Sequence, residues 1–136
     1  MLTLTMAVEK GGAVMLPEMT AYRQRLAHIQ ALHRQEAERL AAALAVHGAA
    51  KAILFGSVAQ GTDSFSSDID LVALFEGVGS VPFPQRTADA LAWLNPAVRT
   101  DLLIYTPEEW DALRASRRFV RDELAHKGVV LFERPR

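Results

Sequence analysis

From Pro17 onward, apolar positions recur at three- and four-residue steps: Tyr22, Leu26, Ile29, His33, Ala37, Leu40 and Leu44. The spacing predicts one long amphipathic helix, opened by Pro17 at its first position and stopped near His47 and Gly48. The pattern then changes period. Ile53 to Phe55 is a short apolar run, read as a buried strand, and Gly56-Ser57 breaks it. A loop of Gly, Ser, Thr and Asp follows, and the chain returns to strand from Asp68 to Phe75. The two Gly and two Pro of residues 76–84 mark a connector. Gln85 to Leu94 reads as a short helix with Ala88, Leu91, Ala92 and Trp93 toward the core, stopped by Asn95-Pro96. Val98 to Tyr105 is a strand, with Leu102 and Ile104 on one side and Asp101 and Leu103 on the other. Thr106-Pro107-Glu108-Glu109 matches a capping box, with Thr106 as N-cap and Glu109 at N3, which gives both glutamates a structural role. The helix it opens is expected to run to about Ala125, with Trp110, Leu113, Val120 and Leu124 inward, before a last strand at Val129–Glu133. At the other end, Leu2, Leu4, Met6 and Val8 alternate with polar or small residues, which fits a hairpin closed at Gly11-Gly12 and a poorly ordered tail about equally, with a dimer or partner contact as a weaker third reading.

Two acids interrupt the second strand. Asp68 and Asp70 are two residues apart, so in a strand they project to the same side. Carboxylates held side by side repel one another unless a cation lies between them, and a hard, oxygen-ligated ion such as Mg²⁺ suits such a pair. Gly56 lets a phosphate approach the backbone, while Ser57 offers a hydroxyl and an N–H, more so if it opens a helical turn. Surface acids at strand ends are the plain alternative. It is the weaker one, because acids are depleted within strands and these sit in apolar runs.

Gly56-Ser57, ten intervening residues, then Asp68-x-Asp70 resembles the signature of the DNA polymerase β-like nucleotidyltransferase superfamily, and the small size resembles its minimal nucleotidyltransferase (MNT) family. Thr106 to Glu109 and Lys127 to Glu133 also look like the family, and the resemblance covers roughly residues 50 to 133. It implies an α+β nucleotidyltransferase fold, a small mixed sheet packed with helices (an α/β sandwich) behind a long N-terminal helix. Residues 1–16 would be an extension and residues 17–136 a single minimal domain. It also implies a third metal ligand, Asp101, on a neighbouring strand. Asp68 and Asp70 would bridge two Mg²⁺ ions, Asp101 would ligate the ion that activates the attacking hydroxyl, and Gly56 and Ser57 would hold the β- and γ-phosphates of ATP. Such proteins commonly pair with HEPN-domain toxins and neutralise them by adenylylating a tyrosine. The implied function is therefore AMP transfer to a partner's hydroxyl by an antitoxin. The alternatives are transfer to a small molecule, as in aminoglycoside nucleotidyltransferases, and a non-catalytic antitoxin that acts by binding. One position departs from the family pattern. Gln60 stands before Gly61 where a basic residue is common, so a phosphate-binding charge would have to come from elsewhere, with Lys51 and Arg86 as candidates.

Composition narrows the rest. A length of 136 residues fits one domain with a proper core, and 50% hydrophobic with 23% charged residues is a globular mix. A net charge of −1 argues against sequence-specific nucleic-acid binding. No cysteine is present, which excludes disulfides, thiolate metal sites and cysteine nucleophiles. No apolar run approaches a membrane span, and the N-terminus lacks the basic start of a signal peptide, so a cytoplasmic location is the expectation. Arg23, Arg25, Arg34, Arg39, Glu36 and Glu38 on the long helix, and Arg114, Arg117, Arg118 and Arg121 on the last one, read as solvated faces before nucleic-acid or phosphate contacts. His28 and His33 lack a third ligand by spacing, which argues against a metal role. A homo-oligomer stays open.

Overall fold

The computed structural model describes residues 16–118, 122 and 127–135. Helix α1 spans Pro17–Val46, β1 Lys51–Phe55, α2 Gly56–Gln60, β2 Ile69–Leu74, α3 Phe83–Leu94, β3 Thr100–Tyr105, α4 Pro107–Ser116 and β4 Val129–Glu133. The strands form one mixed sheet in the order β3-β2-β1-β4. Strand β1 is antiparallel to both β2 and β4, while β2 and β3 run parallel, joined by the crossover through α3. The α+β arrangement with a long N-terminal helix is the one expected. The tail reading for residues 1–15 lies outside the described residues, as do Val120, Arg121 and Leu124.

Alternation along the strands divides the sheet into two unlike faces. Ala52, Leu54, Ile69, Leu71, Ala73, Leu102 and Ile104 pack against α1 (Ala37, Leu40, Ala41, Leu44) and α3 (Ala90, Leu94) in the main core. The opposite face holds a smaller cluster of Ile53, Phe55, Val72, Leu74 and Trp110, with Tyr105 against it. Trp110 comes from α4, which covers only part of that face. The uncovered part bears the acids.

Three expectations need correction. Helix α4 ends at Ser116, and its C-cap Arg117 is extended, so the helix does not reach Ala125. In α3 the inward residues are Arg86, Ala90 and Leu94, whereas Ala88, Ala92 and Trp93 are exposed. Arg86 occupies an interior position because its guanidinium is fully provided for. It donates to Val81 O at 2.7 Å, Ile104 O at 3.2 Å and Glu109 Oε1 at 2.7 Å, and it lies 4.2 Å over the Phe83 ring. Trp93 instead stacks on His47 at the surface, with centroids 3.6 Å apart. The polar side of α1 is not merely solvated either. Glu36 is buried, accepts from Arg39 at 2.6 and 2.9 Å and from Ala97 N–H at 2.5 Å, and so ties α1 to the turn before β3. The Arg39 guanidinium holds the Glu36 carboxyl below the usual range.

The capping box at α4 forms as expected. Thr106 Oγ1 accepts from Glu109 N–H at 3.1 Å, and Glu109 Oε1 accepts from Thr106 N–H at 2.7 Å. Arg86 adds its charge to the same carboxylate, which drops to a pKa of about 2, with the Arg86 hydrogen bond as the largest cause. Among the described residues no helix is long and apolar enough to cross a membrane.

Candidate active site

The parallel register of β2 and β3 sets Asp70 directly opposite Asp101. Paired residues in neighbouring strands project to the same face, so both carboxylates stand on the part of the sheet that α4 leaves uncovered. Phe55 of β1 is the antiparallel partner of Asp70 on its other side, and Gly56 follows at once. The chain therefore turns into α2 beside the acid pair. Gly56 has φ +70, a left-handed conformation that favours glycine, and a Cβ built on it would collide with Asp70 Oδ2. Both demands select glycine here. Gly56 and Ser57 form the first turn of α2, where backbone N–H groups have no intrahelical acceptor and a phosphate is a natural partner. Together Phe55, Gly56, Asp70, Leu71, Val72, Asp101 and Leu103 line a shallow pocket of about 270 Å³.

Asp70 has a carboxyl pushed above the usual range, first by burial, then by the negative charges of Asp101 and Asp68. A cation beside an acid held this way relieves both effects. The all-oxygen donor set, the facing pair and the raised Asp70 all fit a hard divalent ion such as Mg²⁺. Asp68 stands apart. It precedes β2, and its Oδ2 lies 3.6 Å from Nε of Arg99. Among the described residues no three His, Cys, Asp or Glu groups are gathered closely enough to hold an ion. Asp70 and Asp101 are thus the centre of the arrangement, and Asp68 lies just before the strand, against Arg99.

Neither Lys51 nor Arg86 replaces the missing basic residue. Arg86 is buried in its own network, and Lys51, at the far end of β1, pairs with Glu133 at 3.3 Å. Lys51 and Phe55 are four residue steps apart along the strand, about 13 Å. Gln60 donates to Lys127 O at 3.0 Å. Among the described residues the cation paired with one of these acids is Arg99, beside Asp68 and 82% exposed at its side chain. Its position two residues before Asp101 was the only signal available in the sequence.

A second feature went unread in the sequence. Asp63 lies within the loop between Gly61 and Asp68 and is 3% exposed; His33 of α1, 5% exposed, meets its carboxylate with Nδ1 at 2.6 Å from Oδ2. His33 counted as a stripe residue of the helix, and its burial fits that. Its partner did not follow from any spacing. His28 is exposed and takes no part.

The chain belongs to the nucleotidyltransferase domain family, whose model matches residues 37–131. Among solved structures, a crystal structure from Sulfolobus solfataricus of a protein assigned as a nucleotidyltransferase aligns with a TM-score of 0.58. The two share 18% identity over 79% of this chain and 86% of that one, a likeness of fold. No curated protein matches. The matched span takes in Gly56, Ser57, Asp68, Asp70 and Asp101. This is a nucleotidyltransferase domain.

Proposed function

We propose that the chain transfers AMP from ATP to a hydroxyl of a partner protein, a tyrosine of a HEPN-domain toxin, and acts as its antitoxin. The observation that carries the reading is the open face around Asp70 and Asp101. Asp101 is exposed on β3, the last strand of the sheet, and Leu103 beside it is 48% exposed. A macromolecular hydroxyl can reach such a face without entering a closed cavity. Side chains of α3 already occupy outer carbonyls of β3, Thr87 Oγ1 bonding Leu102 O at 3.0 Å and Arg86 bonding Ile104 O. The partner would thus approach over the face rather than by adding a strand.

In this reading the amides of Gly56 and Ser57 hold the β- and γ-phosphates on the β1 side, and the acceptor enters from the β3 side. The incoming and departing oxygens then lie across the α-phosphorus from one another, as in-line displacement requires. Asp101, the more exposed acid, holds the acceptor hydroxyl and takes its proton. The new bond joins the acceptor oxygen to the α-phosphorus, the bond to the β-phosphate breaks, and pyrophosphate leaves. A bound divalent cation would neutralise phosphate charge and lower the pKa of the hydroxyl. Asp68, Asp70 and Asp101 would hold it.

Co-expression with a helical HEPN-domain protein, followed by mass spectrometry of that partner, tests the proposal. One adenylyl group on a tyrosine is expected, absent with Asp70→Asn. Label from ATP found in a small molecule instead would favour a small-molecule transferase. Toxin neutralisation that survives Asp70→Asn, with no adenylyl group, would mean docking alone.

A further inference from the structure

The loop between Gly61 and Asp68 carries no regular structure, yet it joins the phosphate-binding turn to the first acid. Its geometry must therefore be set from outside. Helix α1 does so through successive side chains. Gln30 Nε2 donates to Asp63 O at 2.8 Å, and His33 Nδ1 meets Asp63 Oδ2 at 2.6 Å. Arg34 adds a long contact to Val58 O in α2 at 3.5 Å, and Tyr22 packs against the Phe65 ring with centroids 5.5 Å apart. Asp63 is held by both its backbone carbonyl and its carboxylate. It lies six residues after Ser57 and five before Asp68.

We propose that the buried His33–Asp63 pair is the anchor that positions the phosphate-binding turn relative to the acids, making both residues positioning residues for nucleotide binding. A carboxylate with side-chain exposure of 2% has no solvent to fall back on, so the His33 imidazole is what holds it inside. Loss of that partner leaves the loop tied to α1 only through the Gln30 bond and the Tyr22–Phe65 contact, because its remaining internal bonds are local. Thr62 N–H donates to Ser57 O at 3.0 Å and Ser64 N–H to Ser67 Oγ at 2.8 Å, which keep the loop's shape but do not fix its place. Displacement by about 1 Å is enough to cost about a hundredfold in a positioned reaction. The main-chain bond from Gln30 is the second point of attachment. The inference rests on the nucleotidyltransferase reading of Gly56, Ser57 and the acids, and it concerns residues that touch neither nucleotide nor metal.

The test uses the full chain with three substitutions, His33→Ala, Asp63→Ala and His33→Asn, the last keeping a short donor for Asp63. Calorimetry measures the Kd for MgATP, and hydrogen exchange follows peptides over residues 56–68 and over β1 and β2. Binding about tenfold or more weaker in both alanine variants is expected, with faster exchange confined to residues 56–68 and recovery of most of the affinity in His33→Asn. Unchanged Kd in folded alanine variants overturns the proposal while leaving the nucleotidyltransferase reading intact. Exchange that rises equally through β1 and β2 also overturns it, because the pair would then support the core as a whole. Absence of MgATP binding by the unaltered protein overturns the functional reading and this inference with it.

Discussion

Gly56 is pressed against the Asp70 carboxylate so closely that no side chain fits between them. The phosphate-binding turn and the central acid are therefore one structural unit, built from the end of β1 and the start of β2. Any Cβ at residue 56 must displace Asp70, the turn, or both. Gly56→Ala is expected to cost about 1–3 kcal/mol in stability from the left-handed backbone alone. Transfer activity should fall by much more than that stability loss accounts for. Denaturant unfolding and nucleotide transfer, measured on the same preparation, check the two effects separately.

Asp70 destabilises the ligand-free protein near neutrality. Its folded carboxyl is raised above the usual range, so in the interval between the unfolded and folded values the native state binds more protons. Stability contributed by this group is therefore greatest at the acidic end and declines as pH rises through the folded value. Asp70→Asn removes the repulsion and is expected to raise the melting temperature at neutral pH, by a stabilisation of about 0.5–2 kcal/mol, while abolishing transfer. Mg²⁺ with ATP should raise the melting temperature of the unaltered protein and leave that of the variant nearly unchanged. Thermal scans with and without the ligands decide it.

Glu109 behaves oppositely. Its folded pKa is depressed to about 2, so its contribution is fully present above the unfolded carboxylate value and is lost as pH falls toward 2. The unaltered protein should lose stability between about pH 4.5 and pH 2 more steeply than Glu109→Gln. Near neutrality Glu109→Ala strands the buried Arg86 guanidinium and opens the capping box, at a cost of about 3 kcal/mol, the low end for a buried pair because Glu109 keeps some exposure. Urea midpoints across pH measure both.

Arg99 is highly exposed and its contact with Asp68 is long, so its pairing adds less than about 1 kcal/mol to stability. If nucleotide binds as proposed, this exposed charge would meet its phosphates. Arg99→Ala is expected to leave the melting temperature unaltered and to raise the KM for ATP several-fold, an effect that salt diminishes in the unaltered protein. Steady-state transfer at two ionic strengths provides the check.

The acids were legible because carboxylates two residues apart within an apolar strand repel one another and gain nothing from burial, so a bound cation is what their spacing suits. The pairing of Asp70 with Asp101 was less so. Alternation placed both on polar sides of their strands, but their juxtaposition depends on the parallel register of β2 and β3, which no local pattern encodes. Periodicity failed where polar residues hold interior positions. Glu36 read as solvent-facing and Arg86 as a candidate phosphate charge because their partners, Arg39, the Ala97 amide and Glu109, close distances that only the fold creates. The length of α4 was overestimated because apolar residues beyond Ser116 continue a helical spacing past the extended Arg117. Asp63 looked like any polar loop residue, and its burial depends on a histidine thirty positions earlier.

The most direct test of nucleotidyl transfer follows two labels. The protein is incubated with Mg²⁺ and the partner, using ATP labelled on either the α- or the γ-phosphate, beside Asp70→Asn and Asp101→Asn. Transfer at this site predicts that the α-label alone enters the partner, with release of pyrophosphate, and that neither variant transfers it. Transfer of the γ-label, or α-label transfer that persists in Asp70→Asn and Asp101→Asn, would contradict a nucleotidyltransferase centred on these two acids.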